Sequence, residues 1–183
     1  KKNTCLMLGN EAIARGAYEG GVQVGAGYPG TPSSEILEYL GRYKEVHSRW
    51  CPNEKVALEV AAGVAIAGGR ALATMKHVGL NVAADPLMTI SYTGVRGGLV
   101  IVVADDPGMH SSQNEQDSRN YAKFAKIPFF EPADGEEARI FTKKGFIISE
   151  KFDTPIMVRS TTRVSHSRSV VFPQERVPFT PFP

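Results

Sequence analysis

The sequence contains little of what usually identifies a function class. Only two of its 183 residues are cysteine, one is tryptophan and four are histidine. Cys5 and Cys51 have neither metal-site spacing nor a disulfide context, so we expect two buried, small apolar side chains in a reducing, cytoplasmic setting. The formal net charge is only +2, and we expect no nucleic-acid partner. Since no apolar run is long enough to span a bilayer and no signal peptide is visible, we expect no membrane partner.

The motifs of several common enzyme classes are also missing. No phosphate-binding loop occurs, and the Gly25–Gly27 spacing lacks the next glycine and the helix start of a dinucleotide fingerprint. No two histidines have metal-ligand spacing, and no nucleophile elbow is present. Asp105 and Asp106 could hold a metal, but an Asp at a strand end more often caps the following loop. We therefore predict no metal site.

The chain does have a regular alternation of apolar strands and helices, and 42% of its residues are hydrophobic. The patterns predict strands over 4–8, 22–26, 46–51, 70–75, 99–104, 128–131 and 154–159, and helices over 10–19, 33–40, 53–69, 80–92, 115–126 and 134–152. Pro86 is expected to break its helix or to stand in a first turn. This alternation predicts an α/β fold with a mostly parallel sheet and helices on both faces.

The two ends of the chain differ from its body. From Thr161 the sequence becomes polar and then rich in proline, which is typical of a linker or a wrapping tail rather than a folded element. We therefore assign residues 1–165 to one domain and residues 166–183 to a tail that leads towards further domains. The chain begins with Lys1-Lys2 and not with Met, so we interpret it as a processed chain or a fragment of a larger one.

Four loops are richer in polar and special residues than the helices that follow them: 28–34, 52–54, 76–81 and 105–114. Each of them follows a predicted strand. In a parallel sheet the working residues gather at the carboxyl ends of the strands, so we expect these loops to form the site. His77 lies on the third loop, which favours a functional role for it over a structural one.

Glu54 has two interpretations. Asn53 is a favoured N-cap, and a Glu in the first helical turn is often there only because the helix dipole favours it. Alternatively, Glu54 is a carboxyl group that exchanges a proton at the mouth of a cleft, which requires partial burial. Glu59, one turn further along the helix, shares this ambiguity at first.

A resemblance favours the functional interpretation. Asn53-Glu54, an Ala-rich helix and Gly63 nine positions after Glu54 resemble the pyrimidine-binding module of thiamine diphosphate enzymes. There the glutamate hydrogen-bonds the ring nitrogen of the cofactor's aminopyrimidine. The turn Tyr-Pro-Gly-Thr-Pro-Ser-Ser at 28–34 is similar to a turn of 2-oxoacid:ferredoxin oxidoreductases, in which the threonine lies against the substrate carboxylate.

Longer strings resemble the alpha subunits of indolepyruvate ferredoxin oxidoreductases. They lie at 8–17, 75–86, 105–117 and 152–167. The resemblance implies a thiamine diphosphate-binding fold and oxidative decarboxylation of arylpyruvates such as indolepyruvate to acyl-CoA. It also implies coenzyme A and ferredoxin as partners, a beta subunit, and self-association of the module.

The resemblance also assigns roles to individual residues. Glu54 and His77 are expected to be catalytic, and His77 would orient an intermediate or move a proton. The residues expected to contact the cofactor are Glu54, Thr31, Asn81 and Asn114. Those expected to contact the substrate are Thr31 and Gln113.

Parts of the family pattern are missing from the sequence. There is no Gly-Asp-Gly motif leading to an Asn-rich stretch, which carries magnesium and diphosphate, and there are no Cys-x-x-Cys clusters for iron–sulfur centres. The chain is therefore expected to supply half of the thiamine diphosphate site, with Mg²⁺ and 4Fe-4S clusters in domains absent from it. Pyruvate-using relatives also place an arginine where Asp105-Asp106 stands, so the group that binds the substrate carboxylate must differ.

Two alternatives stay open at this point. The first is a separate-chain pyrimidine module of a 2-oxoacid decarboxylase similar to sulfopyruvate decarboxylase. The second is a catalytically silent α/β interaction module that dimerises through its small-residue helix. A silent module would leave Glu54 solvated or paired with a lysine or arginine, whereas an enzyme module would bury it beside the converging loops.

Overall fold

A computed structural model describes residues 4–182 of the chain. The strands are β1 (Cys5–Leu8), β2 (Val24–Gly27), β3 (His47–Trp50), β4 (Ala71–Lys76), β5 (Leu99–Asp105), β6 (Phe129–Phe130), β7 (Ile156–Thr161) and β8 (Arg168–Val171). The helices are α1 (Gly9–Glu19), α2 (Ser34–Leu40), α3 (Glu54–Ile66), α4 (His77–Val82), α5 (Ala84–Thr93), α6 (Arg119–Ala125), α7 (Gly135–Phe152) and α8 (Thr162–His166).

Six of the strands form a parallel sheet in the order β3-β2-β4-β5-β7-β6. The central strands β4 and β5 are buried along their whole length, as expected for strands covered on both faces. One face packs on α1, α2 and α7 through residues such as Ile13, Ile36 and Phe146. The other face packs on α3 to α6, where Leu58 and Leu87 are buried. The predicted α/β fold with helices on both faces is confirmed.

Two helices, α3 and α7, begin directly after a residue whose side chain caps the helix. The side-chain oxygen of Asn53 accepts the N–H of Val56 at 2.9 Å, and that of Asp134 accepts the N–H of Glu137 at 2.9 Å. The predicted N-cap Asn53 is therefore confirmed, and Asp134 caps its helix in the same way, because each satisfies an otherwise free first-turn donor. Pro86 lies in the first turn of α5, where its missing N–H costs nothing.

Two helices differ from their predicted bounds. The loop expected at 76–81 is wrong, since α4 begins at His77 without any side-chain cap and ends at Val82. The helix expected from residue 115 begins only at Arg119. The N–H of Ser118 donates to the Asp105 carboxylate at 3.0 Å, which fastens the preceding residues to the end of β5 as a loop.

The part of the chain after β7 is more ordered than the sequence suggests. It forms α8 and then β8, which pairs antiparallel with β1, so the expectation that no folded element follows residue 161 is wrong. This pairing joins the first and last strands, and no local pattern can reveal such a partner. Cys5, at the start of β1, is exposed although we expected it to be buried, while Cys51 is buried as predicted.

The proline-rich segment after β8 wraps around the edge of the sheet at which the strands begin. The N–H of Val177 donates to the carbonyl of Glu19 at 2.9 Å, and the N–H of Phe182 donates to the carbonyl of Gly68 at 3.0 Å. The guanidinium carbon of Arg70 lies 4.2 Å from the ring centroid of Phe179. Within residues 4–182, no helix is both long and apolar enough to cross a membrane.

Two helical glycines provide a matched test of how closely α1 packs on α7. A Cβ at Gly16 of α1 would overlap the backbone carbonyl of Arg139 on α7, whereas a Cβ at Gly63 of α3 would meet nothing within 4 Å. We expect Gly16→Ala to lower the free energy of unfolding by about 1–3 kcal/mol because the helices must move apart. Gly63→Ala should instead raise it by up to about 1 kcal/mol through helix propensity.

Urea unfolding followed by circular dichroism measures both effects. Equal midpoints for Gly16→Ala and the unmodified chain would show that α1 and α7 do not depend on this close approach.

Candidate functional site

The four predicted site loops follow β2, β3, β4 and β5, which are neighbours in the sheet. Because the strands are parallel, all four loops lie at the same edge. Direct contacts join the first, third and fourth loops. The ammonium of Lys76 donates to the carbonyl of Ser111 at 3.0 Å, and the hydroxyl of Ser111 lies 3.4 Å from the carbonyl of Thr31. The stem of Lys76 lies beside Gly30 in the first loop.

Glu54 occupies the first position of α3, and only 8% of its surface is exposed. Its side chain packs against Gly79 of α4, where an added Cβ would lie 2.5 Å from Glu54 Oε1. Among the described residues, no hydrogen bond or ion pair reaches its carboxylate. Glu59 differs, since its half-exposed side chain lies 3.9 Å from Lys55. A buried carboxylate without a partner is costly, which is typical of a functional site.

His77 is the first residue of α4 and is 1% exposed. Neither of its ring nitrogens has a hydrogen-bond partner within residues 4–182. Burial lowers the pKa of His77 below its ordinary value, although Asp105 and Asp106 oppose this effect. The side chain is therefore a neutral imidazole at pH 7, with one N–H to donate and one nitrogen to accept.

Asp106 organises the fourth loop. It accepts the N–H of Ser111 at 2.8 Å, the hydroxyl of Ser112 at 2.7 Å and the hydroxyl of Thr162 at 2.7 Å. Burial acts to raise the pKa of Asp106, but these hydrogen bonds outweigh it and hold the pKa far below its usual range. The interpretation of this aspartate as a loop cap is supported.

Asp105 is partly occupied by structural contacts. Its Oδ2 accepts from Arg159 at 2.7 Å and from the N–H of Ser118, whereas its buried Oδ1 has no hydrogen-bond partner within residues 4–182. The part of the chain that the structure describes contains no group of three or more potential metal ligands.

The other predicted site residues are more exposed. The side chain of Thr31 is exposed at the first loop, and Gln113 and Asn114 are exposed on the fourth. The side-chain oxygen of Asn114 accepts from the side-chain amide of Gln116 at 2.9 Å. The side-chain oxygen of Asn81 accepts from the Tyr121 hydroxyl at 2.7 Å. No hydrogen bond within residues 4–182 joins Gln113 or Asn114 to the other three loops.

Sequence reasoning missed two residues that shape this edge, Lys76 and Gly79. Gly79 allows α4 to approach the Glu54 carboxylate, and a glycine within a loop gave no sign of that contact. Lys76 had a usable signal, because a lysine directly after the apolar run 71–75 is a charge at the end of a buried strand.

Comparisons with known proteins assign the chain to a family. The profile of the family described as "Pyruvate flavodoxin/ferredoxin oxidoreductase, thiamine diP-bdg" matches residues 15–178. The chain belongs to this family. Its thiamine diphosphate-binding fold therefore accounts for the parallel sheet and for the clustered strand ends.

Two archaeal relatives are similar over most of the chain. The indolepyruvate oxidoreductase subunit IorA of Archaeoglobus fulgidus is 57% identical over 173 residues, which are 91% of this chain and 28% of the relative. IorA of Pyrococcus abyssi is 54% identical over 177 residues, with 93% and 27% covered. The chain thus spans about a quarter of the length of these relatives.

A solved structure has the same fold. The 2-oxoglutarate:ferredoxin oxidoreductase from Magnetococcus marinus, with 2-oxoglutarate, coenzyme A and succinyl-CoA bound, superposes with a TM-score of 0.84. The match covers 96% of this chain and 32% of that one at 19% identity, so it is evidence for the fold alone.

The strand-end residues fit the aminopyrimidine end of thiamine diphosphate. An aminopyrimidine carries ring nitrogens and an amino group, which can pair with a carboxylate and with a neutral imidazole. Glu54 and His77 are buried groups of these two kinds, and each lacks a hydrogen-bond partner among the described residues. Gly79 adds no side chain between α4 and Glu54.

The burial of His77 predicts a pH dependence. Because its pKa is lower in the folded than in the unfolded chain, its contribution to stability is complete above the unfolded value of about 6.5 and is lost as pH falls from there towards the folded pKa. His77→Asn should therefore lose less stability than the unmodified protein between pH 7.5 and about 5.5. Urea unfolding across this range measures the difference.

The exposed His47 provides the control. His47→Asn should follow the pH dependence of the unmodified protein, and identical curves for His77→Asn would contradict the burial effect.

Proposed function

We propose that this chain is the pyrimidine-side half of a thiamine diphosphate-dependent oxidoreductase. The complete enzyme would oxidatively decarboxylate arylpyruvates such as indolepyruvate to acyl-CoA and pass the electrons to ferredoxin. The identity of 57% to an indolepyruvate oxidoreductase subunit supports this substrate class. It also disfavours the alternative of a small two-subunit decarboxylase.

The burial of Glu54 without any partner in the described chain carries the proposal. A silent interaction module has no reason to keep a carboxylate in this state, and would leave it solvated or pair it with a cation. A cofactor-binding module does have a reason, since a ligand that donates to the carboxylate offsets the cost of its burial.

Each residue would act at a stated place. When bound, thiamine diphosphate supplies the nucleophilic carbon and takes up the electrons released by decarboxylation. Glu54 would hold a proton at the ring nitrogen of the aminopyrimidine, and His77 would exchange a proton with a reacting group through its free nitrogens. Thr31 would present its exposed hydroxyl to the cofactor and to the substrate carboxylate.

Three amide residues have supporting roles in the proposal. Asn81 is held by Tyr121 through its carbonyl oxygen, which leaves its amide N–H groups free to donate to the cofactor. Asn114 would contact the cofactor and Gln113 the substrate. Both are exposed on the fourth loop.

The remaining components would come from outside this chain. The pyrimidine module, assigned to residues 1–165, would also include β8, which pairs with β1, and the rest of residues 166–183 would lead towards domains that hold Mg²⁺ and 4Fe-4S clusters. A beta subunit, coenzyme A and ferredoxin are the expected partners, and the module is expected to self-associate. Cys5 and Cys51 are both free thiols, as a reducing cytoplasm would keep them, and a cytoplasmic location stays a prediction.

Replacement of Glu54 tests the proposal. In the complete enzyme, Glu54→Gln should lower kcat for indolepyruvate oxidation by about 10²- to 10⁴-fold, because Gln cannot hold the proton. Steady-state assays with coenzyme A and ferredoxin measure the loss.

Glu59→Gln is the matched control on the same helix. Its side chain is exposed on α3, so its turnover should equal that of the unmodified enzyme. Near-normal turnover of Glu54→Gln would contradict the proposed role of Glu54 at the aminopyrimidine and, with it, the proposed function.

Binding of the cofactor to the chain alone gives a second test. The described residues contain no cluster of metal ligands, so the chain offers no anchor for magnesium diphosphate. Calorimetry of the 183-residue chain with thiamine diphosphate and Mg²⁺ should detect weak binding or none, and tight binding would contradict a half site.

A further inference from the structure

Lys76 is a buried cation at the centre of the candidate site that the roles above do not use. It ends β4, and only 8% of its surface is exposed. Its stem passes Gly30, where an added Cβ would lie 3.2 Å from Lys76 Cδ. Its ammonium reaches the carbonyl of Ser111 at 3.0 Å. The charge therefore lies where the first and the fourth loops meet.

This ammonium has no anionic partner. Within residues 4–182, its bond to Ser111 is its one hydrogen bond, and it forms no ion pair. An ammonium has three donors, so two are left for another acceptor. Buried charges are normally paired, because an unpaired charge loses its hydration without compensation. The position of Lys76 thus calls for an anion from outside the described chain.

None of the other cations near this edge, among the described residues, is both buried and without an anionic partner. They either pair with carboxylates or are exposed. Arg159 pairs with Asp105 and Glu131, Arg119 with Asp117, and Lys55 with Asp85, while Arg49 and Arg163 are exposed.

The nearby carboxylate of Asp106 does not neutralise Lys76. Its two oxygens accept the N–H of Ser111 and the hydroxyls of Ser112 and Thr162. Asp106 is therefore satisfied by neutral donors, and it forms no ion pair with the ammonium. Ser111 connects the two groups, since its N–H binds Asp106 and its carbonyl binds Lys76.

We propose that Lys76 binds the carboxylate of the 2-oxoacid substrate, between the Thr31 turn and the Ser111 segment. This inference rests on the proposed function and names the group that replaces the missing arginine. Two free donors on one ammonium match a single carboxylate. A diphosphate would require several cations or a row of backbone N–H groups.

The side of the sheet that Lys76 occupies supports this assignment. Side chains alternate along a strand, so Lys76 shares a face with Leu72, which packs in the cluster of α1, α2 and α7. Glu54 lies on α3, which covers the opposite face. A substrate held at Lys76 would thus lie on one side of the end of β4, with Glu54 on the other.

The test uses the complete, cofactor-loaded enzyme with Lys76→Met, which keeps the length of the side chain but removes its charge. The probes are indole-3-propionate, a carboxylate that cannot be decarboxylated as a 2-oxoacid, and its neutral amide, both assayed as competitive inhibitors. The inhibition constant of the carboxylate should rise about 10- to 100-fold, and so should the KM for indolepyruvate. The inhibition constant of the amide should change by less than about twofold. The KM for coenzyme A should not change.

The control is Lys44→Met, which removes an exposed lysine three residues before β3, at the opposite edge of the sheet. It should leave every constant unchanged. Unaltered inhibition by the amide shows that the site of Lys76→Met is intact, and Lys76→Gln provides the same comparison if the Met variant does not assemble.

The outcomes separate the two proposals. An unmodified enzyme that does not oxidise arylpyruvates would refute the proposed function. Three results in an active enzyme would refute the role of Lys76 alone. Lys76→Met could leave the inhibition constant of the carboxylate unchanged, raise the inhibition constants of both probes equally, or raise only the KM for coenzyme A.

Discussion

In the six-stranded sheet, the parallel alignment brings the carboxyl ends of all the strands to one edge. The rest of the structure depends on this constraint. A helix or loop follows each strand there, so residues far apart in sequence become neighbours without any long insertion. The close approach of Gly79 to Glu54 and the contact between Lys76 and Ser111 both result from it. Hydrogen bonds to Asp106 then hold the most irregular loop in place.

Charged groups are treated differently elsewhere in the molecule. Glu19 is fully buried, and its carboxylate accepts from Arg15, Arg139 and the N–H of Gln174. Arg70 binds Glu150 through two hydrogen bonds of 2.6 and 2.7 Å. The fold can therefore satisfy buried charges where they have only a structural role. At the carboxyl edge, by contrast, Glu54 and His77 are buried and have no hydrogen-bond partner within residues 4–182, a combination that is typical of functional sites.

The fold class and most of the elements could be predicted from the sequence, because hydrophobic period and capping are local signals. Asn53 and Asp134 mark their helices correctly for this reason. The pairing of β1 with β8 could not be predicted, since it depends on residues more than 150 positions apart and on no local pattern. In the candidate site, motif reasoning selected Glu54 and His77, which are buried and have no hydrogen-bond partner in the part of the chain that the structure describes. It missed Lys76 because the consequence of that charge depends on what the neighbouring loops leave unpaired.

The wrapped tail has a mechanical consequence for assembly. It covers the edge at which the strands begin, through the contacts of Val177 and Phe182, and it leaves the opposite edge free. In the proposed assembly, a second module that completes the cofactor site would dock at the carboxyl edge, away from the tail, and would leave the bonds of Val177 and Phe182 intact.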